Sequence, residues 1–174
     1  VYLVTPIFAT GPTLVNPYCT EMIEDALDNV EGLAAAAGMS NGVGTRLNGF
    51  DGALSQINFV MKRIGSPTFT AYYRIRDVAT NGILATVGSF AASSVSNSSY
   101  VLVPMDTTYS VVGPIDIRVT VEVNTGGDSS NYLEVGLANW SADTGGATCR
   151  SYGSRTWTEY GTSYASTIRL YGLF

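Results

Sequence analysis

The sequence predicts an all-β fold, an antiparallel β-sandwich, on three observations. From Gly42 onward, seven short stretches rich in alternating or β-branched residues follow one another. Clusters of Gly, Pro, Asn and Asp separate them, each a combination that favours chain reversal. Composition agrees: 45% of residues are hydrophobic and only 13% charged, with Gly, Ser, Thr, Asn and Tyr making up the difference. Neutral, hydrogen-bonding surfaces of this kind suit lasting contact with identical neighbours or with sugars.

In order along the chain, residues 1–18 read as an extended segment. Tyr2, Leu3 and Val4, then Ile7, Phe8 and Ala9, are strand-like, while Pro6, Pro12 and Pro17 prevent a helix. Residues 19–41 read as one short helix with its connection. Between Glu21 and Ala37, Ile23, Ala26, Leu27, Val30, Leu33 and Ala34 recur at helical spacing. Thr20 is placed to cap this helix, acidic residues crowd its first turn, and Gly38 is placed to end it.

Residues 42–174 hold the predicted sandwich. The strands are Gln56–Lys62, Thr70–Arg76, Ile83–Phe90, Ser99–Pro104, Ile115–Val123, Tyr132–Leu137 and Ser166–Leu173. Turns are expected at Asn48–Gly52, Gly65–Pro67 and Gly126–Asp128. Asn81-Gly82, between two strand-like runs, is a strong hairpin signal.

At 174 residues the chain fits one domain large enough to fold without a metal or disulfide. With a net charge of -5 and no cluster of basic residues, it lacks the footprint of a nucleic-acid binder. No apolar run is long enough for a transmembrane helix, so no membrane insertion is expected. A first residue of Val agrees with a mature, secreted product that has lost a signal peptide. The sequons Asn97-Ser98-Ser99 and Asn139-Trp140-Ser141 agree with the same extracellular location.

The chain contains no histidine, which removes the commonest general base and the usual zinc or copper ligand. Phosphate-loop, nucleophile-elbow and dinucleotide motifs are absent as well. A carboxylate pair for glycoside hydrolysis is the surviving catalytic option. Asp116 and Glu122 share parity on one predicted strand and Glu134 lies on the next, but such carboxylates are mostly solvent-facing. The expectation is therefore no enzyme.

Calcium fits the acidic loops better than any transition metal, because its ligands are carboxylates and carbonyls. Asp25, Asp28 and Asp51 are its candidate ligands, against the plainer reading of a solvated acidic surface. Cys19 and Cys149 allow three states: a bridge within the chain, a bridge between neighbouring subunits, or two buried thiols. An intrachain bridge would close a loop of about 130 residues and contribute roughly 4–5 kcal/mol by chain entropy. Trp140, Tyr152, Trp157, Tyr160 and Tyr164 crowd the polar stretch before the last strand. Aromatics in loops stack on sugar rings, anchor protein interfaces, or fill the end of a sandwich.

Several motifs also resemble a broad jelly-roll family found among phage structural proteins and secreted prokaryotic proteins. They are Leu54–Thr68, Ser99–Val103, Gly113–Val119, Gly126–Tyr132, Trp157 and Ile168–Gly172, in the family's order, and they cover residues 42–174. The resemblance implies a jelly-roll β-sandwich. It extends to the subunits of archaeal extracellular tubes, the cannulae, where calcium and exchanged strands link subunits. No calcium-ligand motif of that group matches residue by residue. Together with the apolar N-terminal segment, the resemblance predicts a self-assembling subunit of a cell-surface tube or filament, or a virion component. Tyr2, Leu3, Val4, Ile7 and Phe8 would add to a neighbour's sheet. The alternative expectation is a carbohydrate-binding module or adhesin.

Overall fold

A computed structural model describes residues 29–139, 148–152, 156–160, 164–166 and 168–173. In chain order the strands are β1 (Asn29–Leu33), β2 (Ser40–Ile64), β3 (Thr70–Asp77), β4 (Ile83–Ala91), β5 (Val101–Asp106) and β6 (Ser110–Val123). They continue as β7 (Tyr132–Asn139), β8 (Thr148–Tyr152), β9 (Thr156–Tyr160), β10 (Tyr164–Ser166) and β11 (Ile168–Leu173). Among the described residues the helical content is one 3-10 turn, Ala92–Ser94. The fold is all-β. Pairing is antiparallel except for a single parallel contact of Leu33 with Ser40, and the strands form one continuous network.

β2 organises that network. Its first half, from Gly42 to Ala53, pairs with β6, while Ser40–Thr45 pairs with β8 on the opposite edge. Its second half pairs with β5 through Gln56–Met61 and with β11 through Ala53–Phe59, and its last residues pair with β7. Between the halves the ladder to β6 slips twice, between Leu47 and Phe50 and between Phe50 and Gly52. Gly49 (φ 60°) and Gly52 (φ 128°) lie in these irregularities, in backbone conformations that L side chains rarely adopt. Side chains fasten the bend. The Gly49 amide donates to Asp116 Oδ1 (2.8 Å), Arg46 Nη2 to Asp116 Oδ2 (2.7 Å) and the Gly113 amide to Asp51 Oδ1 (2.9 Å). The glycine-rich stretch Asn48–Gly52, expected to be a turn, is thus a bend inside a continuous strand.

Alternation along the strands segregates the faces. Val43, Ile57, Phe59 and Met61 of β2 bury with Tyr73 and Ile75 of β3, and with Ile117, Val119 and Val121 of β6. Leu33 of β1 and Leu133 and Val135 of β7 join the same core. Tyr73 of β3 reaches β2 and β5, with which β3 forms no backbone ladder, as well as its paired neighbour β4. Its ring centroid lies 5.3 Å from that of Phe59 and 5.6 Å from that of Phe90, and its hydroxyl donates to the Val103 carbonyl at 2.6 Å. Burial raises this phenol far above its ordinary pKa, so it remains a donor at every physiological pH.

The expected helix over Glu21–Ala37 is not found in its described portion. Asn29–Leu33 is β1, in register with β7 from Asn29 opposite Leu137 to Leu33 opposite Leu133. Glu31 and Leu33 turn inward, Val30 is partly exposed, and Ala37 is exposed, so no helical face is buried. Tertiary pairing with β7 supplies the hydrogen bonds that a helix would have supplied locally, and it outweighs helix propensity. Residues 21–28 lie outside the described residues.

Three turns fall where the sequence places them. Gly65–Pro67 joins β2 to β3, Asn81-Gly82 joins β3 to β4 and Gly126–Asp128 joins β6 to β7. β8, β9 and β10 instead occupy a stretch expected to be loop.

The Tyr73 contacts set a graded expectation for stability. Tyr73→Phe leaves the half-buried Val103 carbonyl without the tyrosine donor and lowers unfolding free energy by about 1–3 kcal/mol. Tyr73→Ala adds a cavity and costs about 3–5 kcal/mol. Urea denaturation followed by tyrosine and tryptophan fluorescence measures both. A Tyr73→Phe variant as stable as the parent would show that the hydroxyl contact contributes nothing.

Candidate functional site

Two features depart from a simple closed core. One is an apolar opening along the strand edges, and the other is a charged layer buried on the opposite face.

The opening follows from sheet topology. β4 ends the strand order and pairs only with β3, while β5 pairs with β2; among the described residues no strand pairs with their outer edges. Over the nine residues Ile83–Ala91, β4 carries no charge and is exposed or half-buried throughout. Its ladder to β3 is bulged at two places, which twists the strand. Ile83 is 46% exposed and Leu84 43%, with Leu102 on β5 at 41%, all large apolar side chains open to solvent. Beneath them Val87, Phe90, Val103, Met105 and Val111 pack on the core yet stay only partly covered. These residues come from β4, β5 and the first half of β6. Pro104 on β5 has no amide hydrogen to offer, which makes β4 the more complete template for another strand.

The charged layer follows from the same alternation. Between core-facing valines and isoleucines, β3 points Arg74 and Arg76 to the other face, and β6 points Arg118, Thr120 and Glu122 there. All five are at most 6% exposed. Glu122 stands at the centre. Arg74 Nη1 donates to Glu122 Oε2 at 2.6 Å, Arg76 Nε to Oε1 at 2.5 Å and Arg76 Nη2 to Oε2 at 2.8 Å. Thr120 Oγ1 adds a fourth bond at 2.8 Å.

Desolvation alone would raise the Glu122 pKa, but the bonds from Arg76, Thr120 and Arg74 outweigh it and hold the carboxyl below its usual range. Arg118 Nη1 reaches Asn81 Oδ1 at 2.6 Å, and Arg76 Nη1 reaches the Asn81 carbonyl at 2.6 Å. Trp157 of β9 lies over this layer with its ring centroid 5.8 Å from the Arg76 guanidinium. Gly42 makes room for it, since a Cβ there would fall 2.7 Å from the indole.

A third grouping lies near β7. Tyr100 donates to Glu134 Oε2 at 2.7 Å, and Lys62 sits 5.6 Å from the Tyr100 ring centroid. Burial and the neighbouring Glu134 carboxylate both raise the Tyr100 pKa. An open groove of about 250 Å³ runs beside them, lined by Glu31, Gly32, Met39, Ser129, Tyr132 and Glu134.

The residues singled out from sequence fall as follows. Asp51 is exposed and fastens the β2 bend through the Gly113 amide, while Asp25 and Asp28 lie outside the described residues. Among the described residues no three His, Cys, Asp or Glu side chains are gathered as a metal would need. Cys149 lies in β8, and Cys19 is outside the described residues, as are Tyr2, Leu3, Val4, Ile7, Phe8 and Trp140. Tyr152 ends β8, Tyr160 ends β9 and Tyr164 begins β10, so these aromatics sit on strands rather than loops. Trp157 is 8% exposed and is packed on the charged layer. Glu122, expected to face solvent, is buried among arginines.

Sequence reasoning passed over Arg74, Arg76 and Arg118. Their signal was a polar or charged residue at every second place, Arg74 and Arg76 in β3 and Arg118, Thr120 and Glu122 in β6. No protein-family model matches the chain, and no curated protein is detectably similar to it.

Glu122 carries a stability prediction with a definite pH sense. Its folded pKa lies below the unfolded value, so its contribution is complete above the unfolded pKa near 4.5 and is lost as pH falls through the folded pKa. Glu122→Gln leaves two buried guanidiniums uncompensated and costs about 3–5 kcal/mol at neutral pH. Urea midpoints measured from neutral to acid pH read this out, and the gap between parent and variant should close on acidification. A gap that stays constant would assign the loss to packing alone.

Proposed function

We propose that this protein is a non-enzymatic structural subunit that assembles with identical copies outside the cell, as a tube, a filament or part of a virion. The observation that carries this reading is the apolar opening beside β4, where Ile83 and Leu84 are exposed on an uncharged, unpaired strand edge. An edge of this kind is a template for another chain.

The matching segment is the N-terminal stretch Val1–Ala9, which is free of charge and rich in Tyr, Leu, Val, Ile and Phe. Added to a neighbour's sheet, it would satisfy backbone groups and cover apolar ones at once. Completed in this way, the network would take the form of a jelly-roll β-sandwich, the architecture that the sequence motifs resemble. Secretion agrees with the low charge and the sequons. Calcium bridging by acidic loops, including Asp25, Asp28 and Asp51, is a subsidiary part of the proposal.

A second reading, glycan binding by an adhesin or carbohydrate-binding module, draws on the groove beside Tyr132 and Glu134. Its aromatic and carboxylate groups are of the type that hold sugars. It ranks second because no exposed aromatic platform accompanies the groove among the described residues with described side chains.

Electron microscopy of the purified protein, with and without millimolar calcium, tests assembly directly. Regular tubes or filaments are expected, and deleting Val1–Ala9 should leave a folded protein that no longer polymerises. Leu84→Lys, which places a charge on the edge, should also reduce assembly without unfolding the monomer. Dispersed monomers in every condition, joined by a positive glycan array, would replace this reading with the second.

A further inference from the structure

The β3–β4 turn holds a group of side chains that the assembly reading does not use. Asn81 is followed by Gly82, and among the described residues it is the one non-glycine with positive φ, at 58°. Both residues are exposed. Arg118 Nη1 donates to Asn81 Oδ1 at 2.6 Å, which fixes the side-chain orientation and leaves the amide nitrogen directed away from the guanidinium. The Gly82 amide donates to Thr80 Oγ1 at 3.2 Å, and Thr80 Oγ1 in turn donates to Asp77 Oδ1 at 2.7 Å. An electrophile with its oxygen held by a cation therefore sits beside a nitrogen whose proton points into a hydroxyl–carboxylate relay.

We propose that Asn81-Gly82 is a self-modification site, at which the folded protein converts Asn81 to aspartate through a cyclic imide. The Gly82 nitrogen attacks Cγ of Asn81, and its proton passes through Thr80 Oγ1 to the Asp77 carboxylate. Negative charge gathering on Oδ1 is met by Arg118, as an oxyanion donor meets a tetrahedral intermediate. The intermediate collapses by breaking the Cγ–Nδ2 bond, and the nitrogen leaves as ammonia after receiving the relayed proton. Water then opens the five-membered imide at one of its two carbonyls. The product is an aspartyl residue joined through its α- or its β-carboxyl group.

Ring closure requires the Asn81–Gly82 peptide to rotate out of the left-handed conformation, which breaks the Arg76 bond to the Asn81 carbonyl, so the Gly82 proton passes to Thr80 Oγ1 before the rotation. Glycine, with no Cβ, permits that rotation. The product is favoured where it forms, because its carboxylate faces Arg118 and adds an anion to a layer in which Arg74 and Arg76 share the single carboxylate of Glu122. Thr80 and Arg118 contact the reacting atoms, whereas Asp77 is a positioning residue acting through Thr80.

Two other Asn-Gly pairs serve as internal controls. Gly42 is buried beneath Trp157 within a strand ladder, and the Gly49 amide is held by Asp116, itself ion-paired with Arg46. The purified protein is incubated at neutral pH and physiological temperature, folded and in urea, and peptide mass spectrometry follows amide-to-acid conversion at Asn41, Asn48 and Asn81. In urea all three should convert at similar rates. In the folded protein Asn81 should keep or exceed its urea rate, while Asn41 and Asn48 are suppressed.

Thr80→Val should slow the folded reaction on the order of tenfold or more, and Thr80→Ser should restore it. Asp77→Asn should slow it in the folded state and leave the urea rate unchanged. The proposal is overturned if folding suppresses Asn81 as it does the others, or if Thr80→Val reacts as fast as Thr80→Ser. Asn81→Asp should fold with a melting temperature no lower than the parent, and a lower one would remove the claim that the layer favours the product.

Discussion

The continuity of β2 through its bend is the constraint on which the other strands depend. A strand of 25 residues would ordinarily be interrupted, since a twisted pair of that length loses contact with a compact core. Here two register slips and two left-handed glycines change its direction without ending its hydrogen bonding. One half can therefore serve β6 and β8 while the other serves β5, β11 and β7. Asp116 of β6 holds Arg46 and the Gly49 amide, and Asp51 holds the Gly113 amide, so polar contacts between β2 and β6 fasten the bend above the buried Phe50. Tyr73 then joins the separated neighbourhoods through rings and one half-buried hydrogen bond.

Burial on both faces of β3 and β6 is the second organising fact. An antiparallel strand usually leaves one face wet. In this chain the second face is dry and charged, which is tolerable only because Glu122 receives four hydrogen bonds and arginine offers planar, multidentate geometry. Lysines in the same places would present point charges that could not share one carboxylate so fully. Trp157 completes the cover because Gly42 is flat enough to let an indole rest on the strand. The contrast with the thinly covered side near β4 is marked: one outer surface is sealed by polar chemistry, and the other is left apolar and open.

Much of this was legible in the sequence where local chemistry decides the outcome. Asn81-Gly82 announces a hairpin because few residues adopt its turn, and the alternation in Gln56–Lys62 and Ile115–Val123 announces strands, though not that both of their faces are buried. Where distant partners decide, local reading failed. Val30, Leu33 and Ala34 fit a helix as well as a strand, and only the presence of β7 selects the strand. Asn48–Gly52 has the composition of a turn, and its role as a bend depends on β6 continuing alongside. Glu122 looks like a solvent-facing carboxylate until Arg74 and Arg76 are brought beside it. Trp157 has a partner, Gly42, that carries no side-chain signal at all. The segment proposed to donate a strand, Cys19 and two of the proposed calcium ligands lie outside the described residues.

The partition of β2 among so many strands also orders events during synthesis. Its first half waits for β6 and β8, and its second half for β5, β7 and β11, all of which leave the ribosome later. Most of the ladder therefore joins residues far apart in the chain, a topology that slows folding because loops must close before contacts compensate. Until β11 has emerged, one edge of Ala53–Phe59 has no partner, and the apolar residues Leu54, Ile57 and Phe59 lie within that unfinished stretch. Until then the chain presents an incomplete sheet, and β11 closes that edge of β2.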